Sequence, residues 1–468
     1  MARGQVLRTW SASWSRCPHI RLSARRSVKP YSGSWSSTAR QLMIPRGAAA
    51  VQHRQFACRL VRQAPNWCLQ FSRMGDLVRN GAPQRSLRDR NRGKTPAHAR
   101  GMTTSLTLGF PAAGGHQQPT VFSRLTELAG SWDQLAVGSG SPTHHYAWVS
   151  AYADIASTSS DLHLVVVGPP QRPVAIAPLI MRRRGGGRLE QLGVRELHEP
   201  MDLIYRSAAD LTALAEAMAQ LGLPLWLERV PAESSTVSVV TNVWRSRGIV
   251  VCRPAPGCPW IALDRRWCES EPPLEPGRRS DLRRAQRNAE KIGPVSSQVL
   301  SPAPGELDRL LDEVFRVEAA GWKGREGTAL ANDSVRGMFY RRYAAAACRQ
   351  GILRLCFLRI GDRVAAVQLG VESEGRFWLH KIGYDEAFAK CSPGMLLLRD
   401  TIRYAASRGL RSYEFLGAAE AWIRPWTDQL RRCVSIRAYP AGATGIAAFI
   451  ADVLRAAWCK LALRRNDC

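Results

Sequence analysis

The chain has 468 residues, 45% of them hydrophobic and 22% charged, which allows two or three globular domains of ordinary composition. Its net charge is +28, but residues 1–101 hold twenty Lys and Arg against two acidic residues, so most of the excess belongs to that segment. Twelve scattered cysteines with no CxxC pair exclude a zinc-ribbon pattern, and no stretch approaches the ~18 apolar residues of a bilayer span.

The first segment has no acidic residue before Asp76 and is rich in Arg, Ser and Trp. It reads as a basic arm for nucleic acid or an anionic membrane, as an organelle transit peptide, or as residues ahead of a true start at Met102. No secretory apolar region follows the basic start. Residues 1–117 are therefore expected to be a disordered basic segment and linker. No nucleic-acid partner is expected except through them. The cysteines are expected to be reduced thiols in a cytoplasmic protein.

Order is expected from about Val121. Tyr146, Trp148, Val149 and Tyr152 suggest a short amphipathic helix. Strands follow at 162–167 and 173–181, parted by Gly168-Pro169-Pro170. A helix over 211–221, a strand over 224–230 and a helix over 235–247 complete an α/β alternation. The stretch LHLVVVGPPQRPVAIAPL, from residue 162, can be laid over LRLCFLRIGDRVAAVQLG, from residue 353, as strand, turn, Arg, strand. Two such units suggest a tandem duplication, with halves at 118–265 and 278–440 joined by a Pro-rich hinge over 271–277. Arg182–Arg184 with Gly185–Gly187 form a loop in the first half, read as a solvated turn or an anion contact.

The second half opens with a helix over 278–291, in which Arg279, Arg283 and Arg287 share one face. Such a stripe suits phosphate groups or is simply solvated. Leu307, Leu310, Leu311, Val314 and Phe315 mark a second helix, and Trp322-Lys323 lies in a Gly-flanked loop. A third helix covers 335–349. Strands follow at 353–360, 364–371 and 376–384. Ser392-Pro393-Gly394 then starts a helix to about 407, with Ser as N-cap and Pro at the first helical position. The last strand is expected at 412–417, and a C-terminal helix within 441–468.

The order RRSDLRRAQRN, VEAAGWK, GDRVAAVQLG, GRFWLHKIGYDEAFAKCSPGMLLL, GLRSYEFLGAAE resembles the CelD-like acetyltransferase domain of the GNAT superfamily, a group related to the FemABX peptidyltransferases. The resemblance spans about 118–440. It implies an α/β fold, a tandem GNAT-like mixed sheet in which the parallel strands at 376–384 and 412–417 splay apart. Acyl-CoA, acetyl-CoA in the simplest case, would enter that wedge as co-substrate without a metal. Its diphosphate would meet the free backbone N–H groups at the start of that helix, around Ser392, Pro393, Gly394 and Met395, with Gly417 on the facing strand. The usual Gly-rich loop is replaced here by Lys390-Cys391-Ser392-Pro393-Gly394-Met395, which leaves the donor open between acyl-CoA and aminoacyl-tRNA.

Direct acyl transfer needs a base, an oxyanion donor and an acid for the leaving thiolate. Strand alternation places Trp378, His380, Ile382 and Tyr384 on one face, with His380 as candidate base and Tyr384 as acid or orienting group. Each is equally readable as a packing residue. Glu414 and Glu420 are alternative bases. Trp322, Lys323, Arg283, Arg287 and Trp378 are candidate acceptor contacts. Relatives carry a Tyr-Lys pair where this chain has Trp422-Ile423, a departure that bears on activity. The lead expectation is an acyltransferase acting on an amine, small-molecule or sugar-linked acceptor, with envelope or exopolysaccharide synthesis implied by analogy. FemABX-like transfer from tRNA and a non-catalytic binding module are the alternatives.

Overall fold

The computed structural model describes residues 105–107, 119–156, 161–183, 187–269, 271–321 and 329–466. All the described residues belong to one compact unit. The readings of residues 1–101 and Met102, and those of Arg184 to Gly186, Trp322 and Lys323, fall outside the described residues.

In chain order the elements are β1 (Ser105–Thr107), β2 (Pro119–Phe122), α1 (Trp132–Ala136), α2 (Tyr146–Ala156), β3 (Asp161–Val167), β4 (Ala175–Arg182), β5 (Arg188–Gln191), α3 (Val194–Leu197), β6 (Ile204–Tyr205), α4 (Ala208–Gln220), β7 (Leu225–Pro231), α5 (Ser235–Arg245) and β8 (Gly248–Ala262). There follow α6 (Pro276–Glu290), β9 (Val295–Leu300), α7 (Leu307–Ala319), α8 (Ser334–Arg349), β10 (Leu353–Ile360), β11 (Arg363–Ser373), β12 (Arg376–Tyr384), α9 (Pro393–Ser407), β13 (Ser412–Glu414), β14 (Leu430–Pro440) and α10 (Ala443–Asn466).

One large mixed sheet runs β1-β2-β3-β4-β5-β7-β14-β8-β13-β12-β11-β10-β9, with β6 beside β4. Its two parallel pairs are β5 with β7 and β12 with β13. Each closes a unit of three antiparallel strands, a helix and a parallel strand. The final strands then cross over: β14 pairs with β7, β8 pairs with β13, and β8 and β14 pair with each other in the middle.

The cores follow from this layout. On one sheet face α1, α2, α7 and α8 share a single core that takes residues from both units, including Leu164, Ile176, Leu355 and Val367. Trp148 on α2 sits edge-on to Phe339 and Tyr343 of α8, at 4.7 and 4.8 Å between ring centroids. Burying such aromatics contributes roughly 1.5–3 kcal/mol each as an upper bound. On the other face α4 and α5 cover the first unit, and α6 and α9 the second.

Two sequence expectations need correction, and two long strands lie outside the sequence reading. The strand expected over 412–417 ends at Glu414, because Leu416 and Gly417 take φ of 54° and 49° and turn the chain away. The long strands β8 and β14 were not foreseen. Pro254, Pro256 and Pro259 lie inside β8, where each removes a ladder donor, and the β8–β14 register shifts between Arg431 and Cys433. Ser392 occupies the N-cap position of α9 with φ 44°, but its side chain caps nothing.

Candidate functional site

The parallel register of β12 with β13 covers only Arg376, Phe377 and Trp378 against Ser412, Tyr413 and Glu414. Among the described residues no strand pairs with β12 on that side beyond Trp378, so the ladder stops there and residues 379–384 are left unpaired with 415–417, a wedge in the sheet. Glu414 closes its base. It is 1% exposed and accepts from Arg431 Nε and Nη2 at 2.8 and 2.6 Å and from Ser412 Oγ at 2.7 Å, with Arg376 at 3.7 Å. These partners tie β12, β13 and β14 together.

The α9 tip stands at the open end. Pro393 has no N–H to satisfy, the first turn holds no acidic side chain, and no side chain caps it. The Ser392 carbonyl accepts from Met395 N at 2.9 Å and Leu396 N at 3.3 Å. Gly394 is buried, and a Cβ built on it would lie 3.7 Å from Tyr384 Cδ1 and 3.9 Å from Ile382 Cδ1. A methyl group fits there; a larger side chain would fill the space beside Tyr384. Tyr384, Met395 and Trp422 are half-buried against the same core, and Phe415 meets Trp422 edge-on at 6.0 Å.

Sequence alternation does not survive along β12. The β11–β12 register jumps from Leu369–Lys381 to Gly370–Leu379, which makes His380 the extra residue of a bulge. Trp378 and His380 therefore face α2 and α8, whereas Ile382 and Tyr384 face α9. The single-face grouping of these four residues is corrected on this ground. His380 stacks on Trp148 at 5.2 Å and meets Tyr343 edge-on at 5.2 Å. Burial, and then the neighbouring Lys381, lower its pKa to about 3, so the ring is neutral. Neither of its nitrogens has a hydrogen-bond partner among the described residues. Trp378 is buried and donates to the Ser373 carbonyl at 3.4 Å.

The bulge turns Lys381 toward α8, where its Nζ lies 4.8 Å from the Tyr340 ring centroid. A buried polar cluster meets it there. Glu199 Oε2 accepts from Gly417 N at 3.0 Å. Arg229 donates to the carbonyls of His198 and Gly417 and, at 2.9 Å, to Cys258 Sγ. His198, Arg229, Leu416 and Gly417 all have positive φ, so four left-handed residues converge on one spot. Left-handed non-Gly residues are costly and concentrate at functional sites. Burial raises the Glu199 pKa; Lys381, Arg229 and the Gly417 N–H pull it back in part. Burial lowers that of His198, with Arg336, Arg229 and Lys381 adding to the effect.

Cys258 and Cys433 lie beside each other near Arg229, and Cys252, Cys258, Cys268, Cys348, Cys356, Cys391 and Cys433 are free thiols. Within the thiol pair, Cys258 lowers the Cys433 pKa, and Arg229 assists.

The remaining expected residues lie elsewhere. Arg283 pairs with Glu271, as does Arg279 at 3.4 Å, while Arg287 is exposed further along α6. Glu420 is exposed and accepts from Trp422 Nε1 at 2.7 Å. Glu199, Arg229, Lys381 and Tyr340 were missed by the sequence reading. The one local hint was the run His198-Glu199-Pro200, with a carboxylate between apolar segments.

Residues 276–424 match the family model described as acetyltransferase (GNAT) domain. No curated protein matches the chain. Among solved structures, L-PGS from Bacillus licheniformis is similar at TM-score 0.45 and 12% identity, covering 71% of this chain and 97% of that one. FemX is similar at 0.44 and 9%, covering 64% and 92%. A tandem GNAT protein from the clavulanic acid biosynthesis pathway is similar at 0.37 and 15%, covering 68% and 97%.

Proposed function

We propose that this chain moves an acyl group from acyl-CoA, acetyl-CoA being the simplest donor, to an amine on a small-molecule or sugar-linked acceptor. The observation that carries the reading is the wedge between β12 and β13, opening beside an uncapped, acid-free α9 tip. Free N–H groups and the positive end of a helix dipole suit a diphosphate. The turn Ser392-Pro393-Gly394-Met395 would hold it through the Gly394 N–H and the helix dipole, since Pro393 has no N–H and those of Ser392 and Met395 donate to the Ala389 and Ser392 carbonyls; Tyr384 and Gly417 would flank the acyl end. The donor supplies an activated thioester carbonyl and a thiolate leaving group.

The acceptor amine arrives protonated and must lose a proton. A carboxylate with a raised pKa is better matched to that task than an ordinary one. Glu199 meets the requirement, and Lys381 with Arg229 keeps its charged form accessible. Glu199 thus takes the role first sought at His380, which the aromatic box seals off. Tyr384, on the α9 side of β12, is the candidate proton donor to the leaving group. The pairing of Arg279 and Arg283 with Glu271 weakens the case for tRNA as donor. The CelD-like order of motifs supports a cytoplasmic enzyme of envelope or exopolysaccharide synthesis, and we take 118–265 and 278–440 as its two diverged halves.

Calorimetric titration of the full chain with acetyl-CoA, followed by thiol-release assays on an amine panel, tests the proposal. Saturable binding with acceptor-dependent thiol release is expected. Folded protein that binds no acetyl-CoA overturns it; binding without turnover on any acceptor leaves the binding-module alternative in its place.

A further inference from the structure

Nine large apolar side chains are exposed among the described residues, and four of them lie on α10: Ile446, Ile450, Leu454 and Trp458, 45%, 51%, 63% and 72% exposed. They recur every four residues, so they form one slowly winding stripe, roughly 18 Å long at the rise of an α-helix. The helix is anchored through another side. Phe449 packs edge-on against Tyr439 at 5.4 Å, and Asp452 accepts from the Tyr439 hydroxyl at 2.7 Å. With Phe449 already covered by the fold, a second apolar stripe is surplus to it.

Charge identifies what covers that stripe. Asp452 is the single acidic residue of α10 and is engaged by Tyr439 and by Arg455 at 3.5 Å. The helix sequence also carries Arg455, Lys460, Arg464 and Arg465. Arg245 and Arg247 are exposed near its start, where Ala441 N donates to the Arg247 carbonyl at 2.9 Å. A second copy related by twofold symmetry would bring this basic set against itself. An anionic bilayer complements it, and a tryptophan among aliphatic residues beside arginines suits the headgroup boundary. No helix among the described residues is long and apolar enough to cross a membrane.

We propose that α10 docks the protein on an anionic membrane surface, lying in the plane of the interface with Ile446, Ile450, Leu454 and Trp458 inserted among the acyl chains. This inference is independent of the acyl-transfer reading.

Co-sedimentation of the full chain with vesicles of phosphatidylcholine, with and without phosphatidylglycerol, tests it. Binding to the anionic vesicles is expected, falling with salt, and weakened about tenfold or more by Leu454→Glu with Trp458→Glu. Lipids brominated on their acyl chains should quench tryptophan emission, and Trp458→Phe should remove most of that quench. The quench separates insertion of this helix from adsorption of the arginine-rich residues 1–101. The proposal fails if anionic vesicles do not bind the protein, or if binding and quench are unchanged by these substitutions. It also fails if the stripe instead sustains a dimer that the double substitution dissolves without any effect on vesicles.

Discussion

The helices α4 and α9 occupy matching places in the two units, each between the third antiparallel strand and its parallel partner, yet they begin in opposite ways. At α4, Ser207 Oγ accepts from Asp210 N at 3.2 Å and donates to Asp210 Oδ2 at 2.6 Å, which sets a carboxylate on the tip. At α9 no side chain caps, proline stands first and glycine second. The gaps beside the tips differ as well. Gln191 spans the first, donating to the Met201 carbonyl and accepting from Glu228 N at 2.8 Å. The second is left open past Trp378. A repeated framework thus leaves one helix end without a side-chain cap and stabilises the other by capping it.

The largest effect is expected at the buried polar cluster around Glu199. Glu199→Gln should lower kcat on the order of a thousandfold while leaving the acetyl-CoA Kd unchanged. A smaller loss than tenfold would remove Glu199 as the base. Next, Gly394→Trp should weaken acetyl-CoA binding by about a hundredfold, or ~2.7 kcal/mol, whereas Ala209→Trp at the matching place on α4 should change nothing in the same calorimetric titration. Equal effects at both tips would erase the distinction between the copies.

A subtler effect concerns pH. Activity should rise as Glu199 loses its proton, at a pH above the ordinary carboxylate range because burial raises its pKa. Lys381 favours the charged form, so Lys381→Met should move the acid limb of the rate profile to higher pH. A limb moving the other way would mean that a different group is titrating. The smallest effect is on stability: Ser207→Ala should cost about 1 kcal/mol in urea unfolding by loss of its cap. Ser392→Ala has no cap to lose, and Ser392→Gly should gain about 1 kcal/mol by relieving φ 44°.

Local periodicity made much of the second unit legible. The strands at 353–360 and 376–384 and the Ser-Pro-Gly helix start carry their own signals, and the structure sets β10, β12 and α9 at those bounds. Two kinds of feature escaped. The prolines of β8 and the arginines of β14 disguise central strands, whose pairing is decided by partners far away in sequence rather than by propensity. A one-residue bulge leaves no trace in composition, so His380 reads as a candidate base on the face of Tyr384, and nothing singles out Lys381. Glu199 and Gly417 meet only because two units fold against each other, and no window of sequence contains both.

The exchange of β8 and β14 governs how the molecule is made. During synthesis β7 and β8 emerge long before β14, yet both need β14 as a neighbour. Until residue 440 has left the ribosome, the earlier strands present unsatisfied edges, and a chain stopped at the linker would retain them permanently. The molecule is thus committed to slow, late closure of a long-range sheet. A nascent chain of this kind calls for chaperone cover, and neither half is a candidate for recombinant production alone.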